Sequence, residues 1–378
     1  MRTDAPSLRQ QRYVVIDALR GIAILGMIWA HTNGLAPQML PDSVMGAVSQ
    51  LSGSATPLFM LVAGTTIAIL TQNKMSRTQR QRFRLEYFLR GVGLIALGLA
   101  LLPWAGRIDI VLAYLGVTFI FAVPFLFLKS KWLIVIATTV FTAAPLLIGW
   151  VQLSLAAQPK LLYSQVSSHP LAFLIEWTFT DRAYHATWLL PFLLLGIICG
   201  RLLLADQLPA LTVFSIGLII TAVAYLVFVH PQSNAGTYLR GSYPEMTYDL
   251  GRSLMLYGAG TALFSARWNG LRRTVITVFT PLTLAGRVPL TLYVIHVLLL
   301  FSIEHSGISV TASAVLWPLT VFVICLTFAA VWGLMFGVGP IERLLGVFSL
   351  RHPPRWMLKI QPTVRSDLGF ESRPAALT

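Results

Sequence analysis

Residues 12–31, RYVVIDALRGIAILGMIWAH, hold the ionisable groups best placed to do chemistry. Asp17, Arg20, Ile24, Met27 and His31 follow one another at intervals of three and four residues, so on a helix they share one stripe. Their neighbours are apolar, and a charged side chain left facing lipid at the centre of a span costs about 2.5–3.5 kcal/mol on insertion scales. The stripe therefore has to face protein or a watery cavity. His31 is the candidate general base, because an imidazole of unperturbed pKa about 6.5 takes a proton from a hydroxyl or amine at neutral pH. Asp17 and Arg20 form the charged end, and Arg20 stands ~16 Å from His31 at about 1.5 Å per residue. Plainer readings stand beside these: an i,i+3 pair that anchors a span, and an interfacial histidine bonded to the next loop.

Other stretches pose the same question. In TPLTLAGRVPLTLYVIH, Arg287 precedes Tyr293 and His296, which are one helical turn apart and read equally as a packed polar pair. In SGSATPLFMLVAGTTIAIL, the small residues Ser54, Gly64 and Thr65 let a helix or ligand approach closely. The basic run RTQRQRFRLEYFLRG suits anionic lipid headgroups, or the phosphates of a cytosolic donor. A longer polar segment, roughly 152–186, holds His169, Trp177, Asp181, Tyr184 and His185, and its part LAFLIEWTF (171–179) has the character of a re-entrant helix. Another, roughly 230–248, is rich in Tyr, Gly, Pro and Asn, as an ordered carbohydrate-facing loop would be. Either segment also reads as an ordinary connection.

The elements that must position these groups are membrane helices. Of 378 residues, 56% are hydrophobic and 11% charged, whereas a soluble domain carries about 25% charged residues. Mean hydropathy is +0.73. Spans need roughly 20 mostly apolar residues, and ten stretches qualify: roughly 15–34, 52–71, 88–104, 108–128, 132–151, 187–204, 211–230, 249–265, 288–303 and 311–337. The expected fold class is all-α, a polytopic bundle of about ten transmembrane helices. Residues 1–340 are expected to form one domain, and 341–378 a basic, loosely ordered cytoplasmic tail.

The net charge of +14 would suit nucleic acid if the basic residues were interleaved with aromatic ones on a soluble face. They sit instead in blocks between apolar runs. With the N-terminus inside, 23 of the 28 Lys and Arg fall in cytoplasmic segments, leaving outside only Arg107, Lys160, Arg182, Arg240 and Arg252. Lys and Arg resist translocation, so the asymmetry points to both termini being cytoplasmic. Arg2, Arg9 and Arg12 before an apolar stretch resemble the start of a signal peptide. Asp17 and Arg20 interrupt its front and no small-residue cleavage site follows, so an uncleaved first span is expected. Cys199 and Cys325 lie within apolar runs and read as buried hydrophobes. No metal site is expected, since no CxxC, HExxH or P-loop occurs.

The pattern R-x4-D-x2-RG-x-A closed by a histidine runs from Arg12 through Asp17, Arg20, Gly21 and Ala23 to His31. It resembles the transmembrane acyltransferase superfamily, nearest to its heparan-α-glucosaminide N-acetyltransferase-like and YeiB-like bacterial branches. The likeness extends to SATPLFMLVAGTTIA, WLLPFLLLGIICGRL, LAGRVPLTLYVIH and GPIERLLG, in that order. The resemblance implies an acyl-CoA donor, acetyl-CoA above all, bound from the cytoplasm, and a polar acceptor such as a glycan of the cell envelope on the far side of the cell membrane. It makes His31 the catalytic histidine; Asp17, on the same stripe, is expected to act with it, and the arginines at the inner mouth, Arg12, Arg20 and Arg287, are the expected donor-binding residues, where CoA phosphates would want donors. Tyr293, His296 and His185 stand near the acceptor or behind the base. In the heparan-type branch the histidine lies farther into the first outer loop. This chain has none before the second span, so His31 does that job or the job is absent.

Membrane lipid, acyl-CoA and the glycan are thus the expected partners, with nucleic acid excluded and a homo-oligomer compatible with the sequence. Two other classes remain open: a transporter or lipid/glycan flippase that uses the charged stripe as a substrate path, and a non-catalytic partner that keeps the fold. Inverted repeats, which mark many transporters, are not seen in the sequence.

Overall fold

A computed structural model describes residues 8–33, 52–106, 108–157, 172–181, 183–205, 207, 209–229, 241–264, 269–306 and 316–350. In chain order its helices are α1 (Leu8–Asn33), α2 (Ala55–Leu70), α3 (Arg77–Leu101), α4 (Leu112–Ala122), α5 (Ser130–Ala157), α6 (Ala172–Ile175) and α7 (Ala186–Leu204). There follow α8 (Ala210–Ala224), α9 (Tyr243–Phe264), α10 (Asn269–Val278), α11 (Thr280–Arg287), α12 (Pro289–His305), α13 (Leu316–Phe336) and α14 (Pro340–Phe348). The fold is all-α, as expected, with no strand among the described residues.

Among the described residues, six helical stretches are long and apolar enough to cross a membrane: Val14–Thr32, Arg77–Trp104, Ser130–Ser154, Ala186–Leu204, Ala210–Phe228 and Pro318–Phe336. A seventh arises if α11 and α12, bent by 88° at their junction, form one broken span. Two shorter apolar helices, Ala55–Leu70 and Leu112–Phe125, fall on two more of the expected stretches. The chain is therefore a multi-pass membrane protein. Large apolar side chains such as Trp150, Leu153, Leu211, Ile219, Leu319 and Val331 stand exposed, as lipid-facing ones do.

Several boundaries differ from the expectation, each for a local reason. The basic run at 77–87 is helix, because Ser76 and Gln79 close a capping box: the Gln79 amide donates to Ser76 Oγ (3.2 Å) and the Ser76 amide to Gln79 Oε1 (2.8 Å). Residues 243–248, expected in a loop, begin α9, where the Gly241 amide donates to the Glu245 carboxylate (2.6 Å). Of the expected re-entrant helix, α6 supplies one turn and 176–180 continue it with π-type bonding. The expected tail opens with α14, since Ile341, Leu344, Leu345 and Phe348 recur at helical spacing. Residues 351–378 lie outside the described ones.

Contacts divide the chain into two units. One unit gathers α1, α10–α13 and the start of α14. Val14, Ile16, Ala18, Leu19, Ala23, Leu25 and Ile28 of α1 are all buried. A helix covered on every side is a central one. Gly21 abuts the Leu282 carbonyl, and Gly286 abuts the Asp17 carbonyl, so a Cβ at either glycine would strike backbone. Here α1 and α11 press together without side chains between them.

The other unit gathers α2–α8 and most of α9. Gly64 of α2 and Gly196 of α7 allow a similar approach. The Thr65 hydroxyl then lies 3.1 Å from the Gly196 carbonyl and 3.2 Å from the Tyr257 hydroxyl of α9. Cys199 and Cys325 are free and buried.

Candidate active site

Proline sets the first part of the site. Pro289 has no amide to donate and disfavours helical geometry at the residue before it, and Val288 adopts φ −127°, ψ 38°. The helix breaks there, so Arg287 is the last residue of α11 rather than the inner end of an unbroken span. The negative pole of α11, with its unpaired carbonyls, points at whatever lies beside it.

Arg20 of α1 answers that pole. Its Nη1 donates to the Gly286 carbonyl at 3.0 Å and to Asp17 Oδ1 at 2.9 Å. Asp17 Oδ2 stands 3.5 Å from Arg287 Nε. One carboxylate thus divides its two oxygens between two guanidinium groups, and the triad keeps one positive charge in excess. Asp17 and Arg20 side chains are each 20% exposed and that of Arg287 15%. They are reachable by a ligand, yet dry enough for a charge-assisted bond to carry weight. The helix of α1 passes through Arg12, but its side chain lies outside the described residues.

Fourteen residues beyond Asp17 on α1, roughly 21 Å at about 1.5 Å per residue, His31 meets α12. Its Nδ1 lies 3.0 Å from His296 Nε2, with the rings within 12° of parallel. His296 Nδ1 lies 3.2 Å from the Leu292 carbonyl, which can only accept. The network therefore assigns the tautomers. His296 donates from Nδ1 and accepts at Nε2, and His31 donates from Nδ1. The His31 Nε2 lone pair is left as the proton acceptor. Tyr293 sets its ring edge-on to His296, 4.9 Å between centroids. His296 and Tyr293 are buried, while His31 is only partly so.

The structure thus gathers the predicted residues into two groups at two levels of α1, Asp17 and Arg20 with Arg287 of α11, and His31 with Tyr293 and His296 of α12. It does not bring Asp17 to His31. His185, fully buried before α7, belongs to the other unit. His169 lies outside the described residues.

Two participants escaped the sequence reading. The Gly286 carbonyl carries no signal of its own. Glu342 of α14 reaches the first turn of α12, where its Oε1 accepts from the Leu290 amide (2.5 Å) and the Thr291 amide (3.2 Å), and its Oε2 from the Thr291 hydroxyl (2.6 Å). This fixes where α12 begins, and with it the level of His296. Burial holds the Glu342 carboxyl above the usual glutamate range, and the bonds from Thr291 and Leu290 pull it partly back.

Across residues 13–336, α1 to α13, the chain matches the model of a family described as an acyltransferase domain. Comparison with curated proteins finds no match.

Proposed function

We propose, since this chain belongs to the acyltransferase domain family, that it moves an acyl group, acetyl above all, from cytoplasmic acyl-CoA to a hydroxyl or amine of an extracytoplasmic glycan or similar polar acceptor. On this reading it resides in the cell membrane and modifies the cell envelope, within the heparan-α-glucosaminide N-acetyltransferase-like or YeiB-like branch. Ten spans then cross the membrane and both ends are cytoplasmic.

The observation that carries the reading is the two-level order of α1. At one level an excess positive charge from Arg20 and Arg287 suits the phosphates of CoA, with Arg12 one further turn and more toward the helix start. At the other, His31 Nε2 offers its lone pair, and the extended pantetheine arm of the donor bridges the interval. His31 accepts the proton of the acceptor hydroxyl as its oxygen attacks the thioester carbonyl. The C–S bond breaks as the tetrahedral intermediate collapses, and the proton passes to the departing thiolate. Products are the acylated acceptor and free CoA. Asp17 keeps both guanidinium groups in place, and His296 keeps His31 in the required tautomer.

Acetyl-CoA binding by the purified full chain tests this. A lost charge-assisted contact costs about 1.5–3 kcal/mol, or roughly 10–150-fold in affinity. Arg20→Ala and Arg287→Ala are each expected to weaken acetyl-CoA by that much. Wild-type affinity in both folded variants would reduce the arginines to topological anchors.

The break between α11 and α12 favours one second reading, because discontinuous helices line the substrate sites of many transporters. A transporter or flippase has no need of the donor, so absence of acetyl-CoA binding by the wild-type chain would favour it.

A further inference from the structure

The basic start of α3 takes no part in acyl transfer as proposed above, and it lies in the other unit from Arg20 and Arg287. Between residues 72 and 87 the chain carries Lys74, Arg77, Arg80, Arg82 and Arg84 against a single acid, Glu86. That acid is taken, since its carboxylate stands 3.3 Å from Arg82 Nε. Arg80 and Arg84, four residues apart, share a helix face on which like charges repel. Arg77 and Arg80 also fall in the first turn of α3, at the positive pole, where cations are least favoured. Helix formation alone would not choose this arrangement.

The two arginines are nevertheless held. The turn between α4 and α5 lays Phe127 beside them, with the Arg80 guanidinium 5.5 Å and the Arg84 guanidinium 5.6 Å from its ring centre. Phe127 in turn sits edge-on to buried Phe83, 5.8 Å between centroids. From the last turn of α7, Arg201 pins the same turn, its Nη1 donating to the Leu128 carbonyl (2.6 Å) and its Nη2 to the Leu126 carbonyl (3.2 Å). A ring contact consumes none of a guanidinium's N–H donors. Arg80 and Arg84 are exposed, and neither side chain has a hydrogen-bond or ion-pair partner among the described residues.

Apolar side chains reach the surface just beyond the pair. Leu85 and Phe88 of α3 are exposed, as are Trp132, Ile134 and Val135 of α5. Exposed Lys129 precedes α5, and Lys131 Nζ lies 5.6 Å from the Trp132 ring. Tryptophan and lysine side by side, with apolar surface on one side of them, suit the headgroup level of a bilayer.

We infer that Arg80 and Arg84, seated on Phe127, bind the phosphate of an anionic phospholipid, with Lys129 and Lys131 adding to the attraction. The exposed apolar residues next to the pair favour a lipid over a soluble phosphate, because they give acyl chains a surface to lie against. Guanidinium forks bond phosphate oxygens through two donors at once, which holds one lipid in place instead of merely attracting many. The inference stands whether or not the chain transfers acyl groups.

Native mass spectrometry of the full chain, released from detergent, tests the site with phosphatidylglycerol and phosphatidylcholine of equal acyl chains. Phosphatidylcholine carries the same phosphate, but the arginines repel its choline cation. Wild type should hold phosphatidylglycerol roughly 25-fold more tightly, two basic residues at about fivefold each. Arg80→Gln with Arg84→Gln should bring the two lipids to near parity. Arg80→Lys with Arg84→Lys keeps the charge and should still cut the preference below about fivefold, because an ammonium lacks the planar fork. Both positions are exposed and the variants should melt no lower than wild type, so a lost preference is not misfolding. The inference falls if wild type holds the two lipids equally. It falls too if the lysine variant keeps the full preference, which would leave a diffuse charged surface. Displacement of phosphatidylglycerol by excess acetyl-CoA would assign the arginines to the donor and overturn it as well.

Discussion

On the proposed mechanism the two imidazoles joined by a single hydrogen bond share one role, and the direction of that bond decides which ring would act as base. The Leu292 carbonyl settles that direction by taking the Nδ1 proton of His296, so the free lone pair falls to His31. Loss of a general base typically costs about 10²–10⁴ in rate. His31→Ala is expected to lower acyl transfer by that factor while acetyl-CoA still binds. His296→Ala should cost less, since His31 keeps its ring and loses only its orientation. Transfer kept in His31→Ala and lost in His296→Ala would put the base on α12 instead. The stripe that exposes His31 as a candidate was legible, because Asp17, Arg20 and His31 recur at helical spacing within one short segment. Its pairing with His296 was not. That contact spans 265 residues, and around His296 the sequence offers only Tyr293, one turn away, as a partner.

The break at Val288 makes α11 and α12 separate elements, and something must hold the second at its level. Glu342 does this from α14. Because burial raises its folded pKa above the ordinary 4.5, the folded chain holds this proton more tightly than the unfolded one. Its contribution to stability is then greatest below about pH 4.5 and declines as pH rises through the folded value. Glu342→Gln cannot titrate. Melting temperatures of the purified chain from pH 4.5 to 7 should fall less with rising pH in this variant than in wild type. A steeper fall in the variant would contradict the assignment. The Arg-Val-Pro triplet does announce a break to a reader of the sequence. Nothing in TPLTLAG, however, says that the residues before it fold as a helix of their own at 88° to the next. That angle comes from α11 lying against α1 through Gly21 and Gly286, and close approach of backbones leaves no trace in hydropathy.

For the molecule as a whole, the balance of basic residues is the strongest topological signal. Reporter fusions after Lys74, Gly270 and Ile360 are expected to read cytoplasm, and those after Lys160 and Asn234 exterior. An exterior signal at Gly270 would defeat the ten-span arrangement. Hydropathy made the apolar stretches legible but misplaced their ends, because α3 and α9 continue as helix into residues too polar for a span. Arg252 shows the cost of counting charges alone: assigned to an outer segment, it lies well inside α9, paired with Asp249. The shared carboxylate of Asp17 also has a consequence in time. About 270 residues separate it from Arg287, roughly 15–50 s of synthesis at ~5–20 residues per second. Throughout that interval the first helix must enter the bilayer with Arg20 as the counter-charge paired with Asp17 among the described residues. Loss of Arg20 should therefore register first as nascent chains discarded before completion, and the yield of inserted protein has to be measured before any rate is compared.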